Sequence, residues 1–130
     1  MRSADPHETR YEQEALLRCE GDYWTIAYAG RLLRLRDRRG LRYLEVLLRH
    51  PGRTFHVTEL LALVAKPEEP ARLDDGDQIE RARKAVTNRI RTTVAHIRAT
   101  HETLGVHLGN AVHTGTRCSY TPERPLTWEK

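Results

Sequence analysis

The stretch that decides the reading is Asp77-Gln-Ile-Glu-Arg-Ala-Arg-Lys-Ala-Val-Thr-Asn-Arg-Ile-Arg-Thr-Thr-Val-Ala-His-Ile-Arg98, continuing through Ala-Thr-His-Glu-Thr to Leu104. Its apolar residues Ile79, Ala82, Val86, Ile90, Val94 and Ile97 recur at three-and-four spacing, which predicts a helix over about 77–104 with one apolar stripe. Arg81, Lys84, Asn88 and Arg91 fall on roughly the opposite side at the same spacing, and no acidic residue lies between Arg81 and Arg98. One face calls for a core and the other for a negatively charged partner.

Charge upstream sharpens the contrast. Glu68, Glu69, Asp74, Asp75, Asp77 and Glu80 form an acidic stretch just ahead of the basic one. From Arg81 to Arg117 the cations face Glu102 alone. A change of sign within one chain points to a polyanion as partner for the basic part. The 130 residues, with a net charge of +4, suit one domain with a real hydrophobic core. No apolar run approaches the ~20 residues of a membrane helix, and no signal peptide pattern is present. Two cysteines, Cys19 and Cys118, are too few for a disulfide framework, so the expected setting is a reducing cytoplasm, close to the nucleoid.

Ahead of the basic helix, residues 1–22 are polar and form a tail or a short helix over Glu8–Cys19, with Tyr11, Ala15, Leu16 and Cys19 on one side. Tyr23–Ala29 reads as a strand, Ala29-Gly30 as a tight turn and Arg31–Arg36 as the returning strand. Asp37 is the expected N-cap of a helix carrying Leu41, Leu44, Val46, Leu47 and Leu48, which stops at His50-Pro51-Gly52. Arg53–Val57 is short and extended. A second helix follows from Thr58 to Val64, capped by His56 or Thr58, with Glu59 in the capping-box position. The segment 66–75, with Pro67 and Pro70, reads as a loop.

Beyond the basic helix, 111–122 alternates around Gly115 as a hairpin, and 123–130 is a tail on which Trp128 is pinned to the body. The domain proper is therefore 23–122. Its expected core is Tyr23, Trp24, Ile26, Leu33, Leu35, Leu44, Leu47, Leu48, Leu60, Leu61, Val64, Val86, Ile90, Val94 and Ile97. The class is mixed α/β, of the α+β kind, and the order of elements is that of a winged helix-turn-helix.

Several phrases resemble one family. Gly30-Arg-Leu-Leu-Arg-Leu35, Gly40-Leu-Arg-Tyr-Leu-Glu-Val-Leu-Leu-Arg-His-Pro-Gly-Arg53 and Phe55-His-Val-Thr-Glu-Leu-Leu61 are similar to the first half of the OmpR/PhoB-type winged-helix domain. Asn88-Arg-Ile-Arg-Thr-Thr-Val94 resembles that family's recognition-helix signature, and Val112–Tyr120 resembles its wing. The chain also looks like C-terminal segments of large regulators of high-GC bacteria. The family's wing carries Arg-Gly-x-Gly-Tyr, whereas Thr116-Arg117-Cys118-Ser119-Tyr120 sets the arginine one position away. The connection between the second and third helices is also longer and more acidic.

The expected activity is sequence-specific binding of double-stranded DNA by a transcription regulator, with the helix in the major groove and the hairpin 112–121 as wing. Arg pairs bidentately with guanine and Asn with adenine, so Lys84, Asn88 and Arg91 are expected at base edges. Arg81, Arg89 and Arg98 are expected on phosphates, Thr87 and Thr92 flank them, and the resemblance adds Arg117 from the wing. Two other functions fit the same sequence. One is a protein-interaction module docking a partner such as RNA polymerase through the acidic loop 68–77, which the resemblance suggests. The other is an architectural protein coating DNA with little sequence preference. A homodimer is expected, with Tyr11, Leu16 and Leu17 as one contact.

Catalysis finds no support: Ser3 and Ser119 lie in no nucleophile motif, and there is no phosphate-binding loop. His101, His107 and His113 are six apart, which does not set ligands on one helix face, so no metal or cofactor is expected. Cys118 is either a redox-sensitive thiol beside Arg117 or a packed apolar residue.

Overall fold

The computed structural model describes residues 15–65, 76–124 and 126–129. It is an α+β structure of two small sheets and four helices among those residues.

β1 (Ala15–Glu20), β2 (Tyr23–Tyr28) and β3 (Arg31–Arg36) form an antiparallel meander. Both connections are two-residue turns. Gly21 takes φ 71° in the first, while Ala29 and Gly30 take φ 51° and 76° in the second, the geometry that matches strand twist. Ala15–Glu20 is thus a strand, not the end of a helix from Glu8, and the rest of that segment lies outside the described residues. Alternation explains the correction: Ala15 and Leu17 are buried on the inner face, and the strand is paired along its length with β2. The same parity turns Tyr23 outward. Trp24 and Ile26 point into the core, so Tyr23 is 43% exposed, with the Arg34 guanidinium 5.4 Å from its ring centroid.

Arg38 is extended and leads into α1 (Arg39–Arg49), whose Leu41, Tyr43, Leu44, Leu47 and Leu48 are buried. Asp37 does not cap this helix. Its carboxylate instead accepts from Trp24 Nε1 at 2.7 Å and from Arg42 at 3.1 Å, tying the end of β3 to the sheet. Burial works against the charged form, but the Trp24 and Arg42 hydrogen bonds and the Arg42 charge prevail and lower its pKa. β4 (Thr54–His56) then enters α2 (Val57–Val64), where His56 Nδ1 accepts from Thr58 N as the cap. The other expected capping-box residue, Glu59, pairs with Arg53 at 2.8 Å instead.

α3 (Gly76–Thr100) is the long basic helix, and it ends at Thr100 rather than near Leu104. His101 breaks it. Its Nδ1 accepts from Leu104 N to start α4 (Glu102–Ala111), and its Nε2 lies 2.9 Å from Tyr28 O. Serving as acceptor at one nitrogen and donor at the other, this buried ring is the neutral Nε2–H tautomer. α4 folds back closely on α3: a Cβ at Gly105 would overlap the Cα and Cβ of Arg98.

The second sheet is β4 with β5 (Val112–His113) and β6 (Arg117–Tyr120), in the order β4-β6-β5. β7 (Trp128–Glu129) pairs parallel with β1, giving the first sheet the order β3-β2-β1-β7. The tail expected after residue 122 is therefore partly a strand. Arg49, at the end of α1, donates to Trp128 O at 2.7 Å and Leu17 O at 2.6 Å, fastening this edge to the helices.

One core cluster joins both sheets and all four helices. Most of the expected core is in it, although Leu35, Leu61, Val64 and Val94 are only half-buried. Ala15, Leu17, Leu41, Tyr43, Phe55, Val57, Leu104, Leu108, Ala111, Cys118, Tyr120 and Trp128 complete it. A polar chain runs through its middle. Trp128 Nε1 donates to Tyr120 Oη at 3.1 Å, and Tyr120 Oη lies 2.7 Å from His107 Nε2. The arrangement satisfying all three has the tyrosine hydroxyl donating to a neutral His107. Tyr28 stacks on both His107 and Trp128, at 5.1 and 5.9 Å between centroids.

Burial lowers the His107 pKa below its ordinary value and pushes that of Tyr120 up to about 12. The unfolded chain takes up a proton near about pH 6.5 while the folded one resists, so stability is full above that pH and falls as pH drops through the folded pKa. The melting temperature is expected to decline between about pH 7 and about pH 5, and His107→Gln should flatten that decline. An equal slope in both proteins would remove His107 as its source.

Candidate nucleic-acid interface on α3

α3 is held by its apolar stripe. Val86, Ile90 and Ile97 are buried, and Thr93 joins them at 1% exposure. Arg81, Lys84, Asn88, Arg91 and Thr92 lie on the far side, and all are exposed. At ~1.5 Å rise per residue, Lys84, Arg91 and Arg98 form one row with steps of about 10 Å. None of Arg81, Lys84, Arg89, Arg91 and Arg98 makes an ion pair with a described residue. Arg83 differs, because Glu80 one turn back takes its guanidinium in a two-point contact. The carboxylate pKa falls and the guanidinium pKa rises, each chiefly through that hydrogen bonding.

The flanks carry the other candidates. Arg89 lies on the α1 side, where its backbone carbonyl meets Gly40. Arg98 is exposed, but its stem is the surface on which Gly105 of α4 sits. Arg91 also borders a groove of about 370 Å³ between α3, α4 and the hairpin, lined further by Ile90, Val94, Gly109, His113 and Thr114. The helix and the hairpin tip thus meet at Arg91.

Two expected residues stand elsewhere. Thr87 is buried, 9% exposed, and its Oγ1 has no partner among the described residues. Three positions before Ile90 and seven before Val94, it belongs to the apolar stripe rather than the outer face. Arg117 is exposed on β6, where its register partner is His56 of β4. Thr116 O accepts from Val57 N at 2.7 Å, so this part of the hairpin is tied to the start of α2 rather than free.

Cys118 follows the packed alternative. It is fully buried, burial raises its pKa, and its thiol donates weakly to Gly115 O at 3.7 Å. A raised pKa opposes a reactive thiolate. Leu17 is buried at 2% exposure, so its side chain is not available as a dimer contact. Leu16 is half-buried, while Tyr11 lies outside the described residues. The acidic loop 68–77 also lies outside them as far as residue 75.

One feature escaped the sequence reading. Arg38, Arg39 and Gly40, at the start of α1, form a groove with Asn88, Arg89, Thr92 and Thr93 of α3. Asp37 looked like the helix cap and concealed it; the Arg38-Arg39-Gly40 run was the available signal. Among the described residues no helix is long and apolar enough to cross a membrane. No family model, curated protein or solved structure matches this chain.

Proposed function

We propose that this chain is a winged helix-turn-helix DNA-binding protein that regulates transcription, with α3 in the major groove and the 112–121 hairpin as its wing. The observation that carries the reading is the outer row of α3. Cations and an asparagine stand exposed there, the cations without ion pairs among the described residues, on a helix whose other side is locked into the core. The order α1, β4, α2, α3, hairpin, with sheet order β4-β6-β5, supports the same reading. α4 is an added helix of 10 residues between the recognition helix and the wing.

In this reading Lys84, Asn88 and Arg91 address base edges, and Arg81, Arg89 and Arg98 address phosphates. Thr92 lies beside Asn88 as a short polar contact. The buried Thr87 has no direct role. Duplex binding should weaken steeply with salt, the logarithm of affinity falling by about 0.9 per phosphate contact for each unit of log salt.

Arg91→Ala is expected to reduce discrimination between the preferred site and its variants by about 1–3 kcal/mol, roughly 5- to 150-fold. Selection from random duplexes, followed by mobility-shift titration at fixed salt, measures it. Unchanged affinity and site preference would remove Arg91 from the interface. Salt-sensitive binding with no enriched site would favour an architectural protein, and no duplex binding would favour a protein-interaction module. Winged-helix regulators usually read paired half-sites, so the complex should contain two copies, which sedimentation on a duplex resolves.

A further inference from the structure

The outer edge of the first sheet belongs neither to the core nor to the outer row of α3. β3 stands at the end of the order β3-β2-β1-β7, so no described strand lies on its far side. Extending its register with β2 sets Asp37 opposite Asp22, and Asp37 N donates to Asp22 O at 2.7 Å. Bonded and unbonded pairs alternate along an antiparallel ladder. Trp24 with Leu35, Ile26 with Leu33 and Tyr28 with Arg31 are therefore the bonded pairs. The N–H and C=O groups of Leu32, Arg34 and Arg36 point away from β2, and they have no backbone partner among the described residues.

The side chains at the same three positions are a separate feature. Leu32 is 57% exposed, and Arg34 and Arg36 are exposed beside it on the outer face of the sheet. Both guanidiniums lie over the Tyr23 ring, 5.4 and 6.0 Å from its centroid, and neither makes an ion pair with a described residue. On the inner face Leu33 is buried, while Leu35 is half-buried against the core. Charges on an edge strand guard against association. Here the guard has one sign. A second copy pairing antiparallel through β3, centred on Arg34, would set Arg34 against Arg34, and like charges directly opposite are destabilising. An acidic strand meets attraction at the same place.

We propose that β3 takes up an extended acidic segment of another protein as an additional strand of this sheet. Lying antiparallel about 4.8 Å away, the segment exchanges main-chain hydrogen bonds with Leu32, Arg34 and Arg36. Its side chains then alternate between the two faces. Carboxylates fall opposite Arg36 and Arg34, an apolar residue falls opposite Leu32, and the residues between them cover Leu35 and Leu33. From its N-terminus the partner reads acidic-x-acidic-x-apolar, with x apolar. The main chain supplies affinity and the arginines select the sign of the partner. A nucleic acid offers phosphates to the arginines but no ladder of N–H and C=O groups to the strand. The proposal is independent of the reading of α3.

The test uses the full chain, labelled with ¹⁵N, and the blocked peptide acetyl-Ser-Glu-Val-Glu-Val-Leu-Ser-amide. Its control carries lysine in place of both glutamates. With the acidic peptide, the Leu32, Arg34 and Arg36 amide resonances should shift, saturate and become slow to exchange with solvent. The Leu33 and Leu35 amides, already bonded to β2, should keep their exchange rates. The lysine peptide should bind roughly 2- to 30-fold more weakly, the worth of two cross-strand charge pairs. Arg34→Glu combined with Arg36→Glu should reverse that order, so that the lysine peptide binds the better of the two. Absence of saturable shifts at the three amides overturns the proposal, and equal binding of both peptides overturns the acidic partner. Protection of the same amides in the free chain, rising with protein concentration, makes a second copy the occupant and overturns it as well. So do shifts at these amides that a DNA duplex produces and the acidic peptide does not.

Discussion

Gly40→Ala is expected to lower stability by about 1–3 kcal/mol, against the usual preference for alanine in a helix. On propensity alone the change would stabilise a helix interior by ~0.8–1.0 kcal/mol. The crossing of α1 over α3 reverses that sign. A Cβ at Gly40 would stand 2.5 Å from Arg89 O and 3.0 Å from Thr93 Cβ, and nearer still to Thr93 Oγ1. A backbone carbonyl cannot rotate away as a side chain does, so the two helices must separate and loosen Leu41 and Leu44 beneath them. The melting temperature should drop by roughly 4 °C for each kcal/mol lost. Thr93→Ala combined with Gly40→Ala relieves the side-chain part of the clash and should recover a fraction of the loss, a coupling that a double-mutant cycle measures. A melting temperature equal to or above that of the parent would mean the helices are not so closely crossed.

The second large effect is expected at Trp128. Trp128→Ala should cost ~3–5 kcal/mol, the usual range for emptying a large aromatic site. The indole is 5% exposed and stacks on Tyr28 at 5.9 Å between centroids. It also donates to Tyr120 Oη at 3.1 Å. Its loss opens a cavity and leaves a buried phenol with one partner fewer. Trp128→Phe keeps a ring in the stack and should cost only about 1 kcal/mol, close to the worth of one hydrogen bond. Urea unfolding separates the two variants. A Trp128→Ala protein as stable as its parent would show that β7 contributes nothing to the fold.

Trp128 also shows where the sequence was readable and where it was not. The aromatic was recognisable as an anchor, because a lone Trp in a polar tail has little other use. Its partner strand was not, since β7 is two residues long and pairs with a segment at the far end of the described chain. Strands of that length have no periodicity to detect. The hairpin of Tyr23–Arg36 was legible from alternation and from Ala29-Gly30, and α1, α2 and α3 from their apolar spacing, whereas α4 was merged with the end of α3 because no proline marks the break at His101. Tyr23 was misplaced because an aromatic in a strand reads as core until the parity set by Trp24 and Ile26 is known. Asp37 was misplaced as a cap because its partners, Trp24 and Arg42, stand 13 and 5 residues away. The exposed row of α3 was visible in the charge pattern. The inward position of Thr87 was not, since threonine suits either side of a helix. Gly40 gave no local sign of α3 pressing against it, because that contact belongs to the tertiary fold.

The pairing of β1 with β7 has a consequence in time as well as in space. Ala15 lies opposite Trp128, more than a hundred positions later. Everything else in the first sheet is built from neighbouring hairpins that close quickly, whereas this pair must wait for loop closure over nearly the whole described chain. During synthesis β1 therefore has an open edge until Trp128 and Glu129 emerge. An open edge is the kind of surface on which nascent chains associate wrongly. The last strand then acts as a latch: refolding should be biphasic, with a fast meander and a slower step that ends as the Trp128 indole reaches Tyr28.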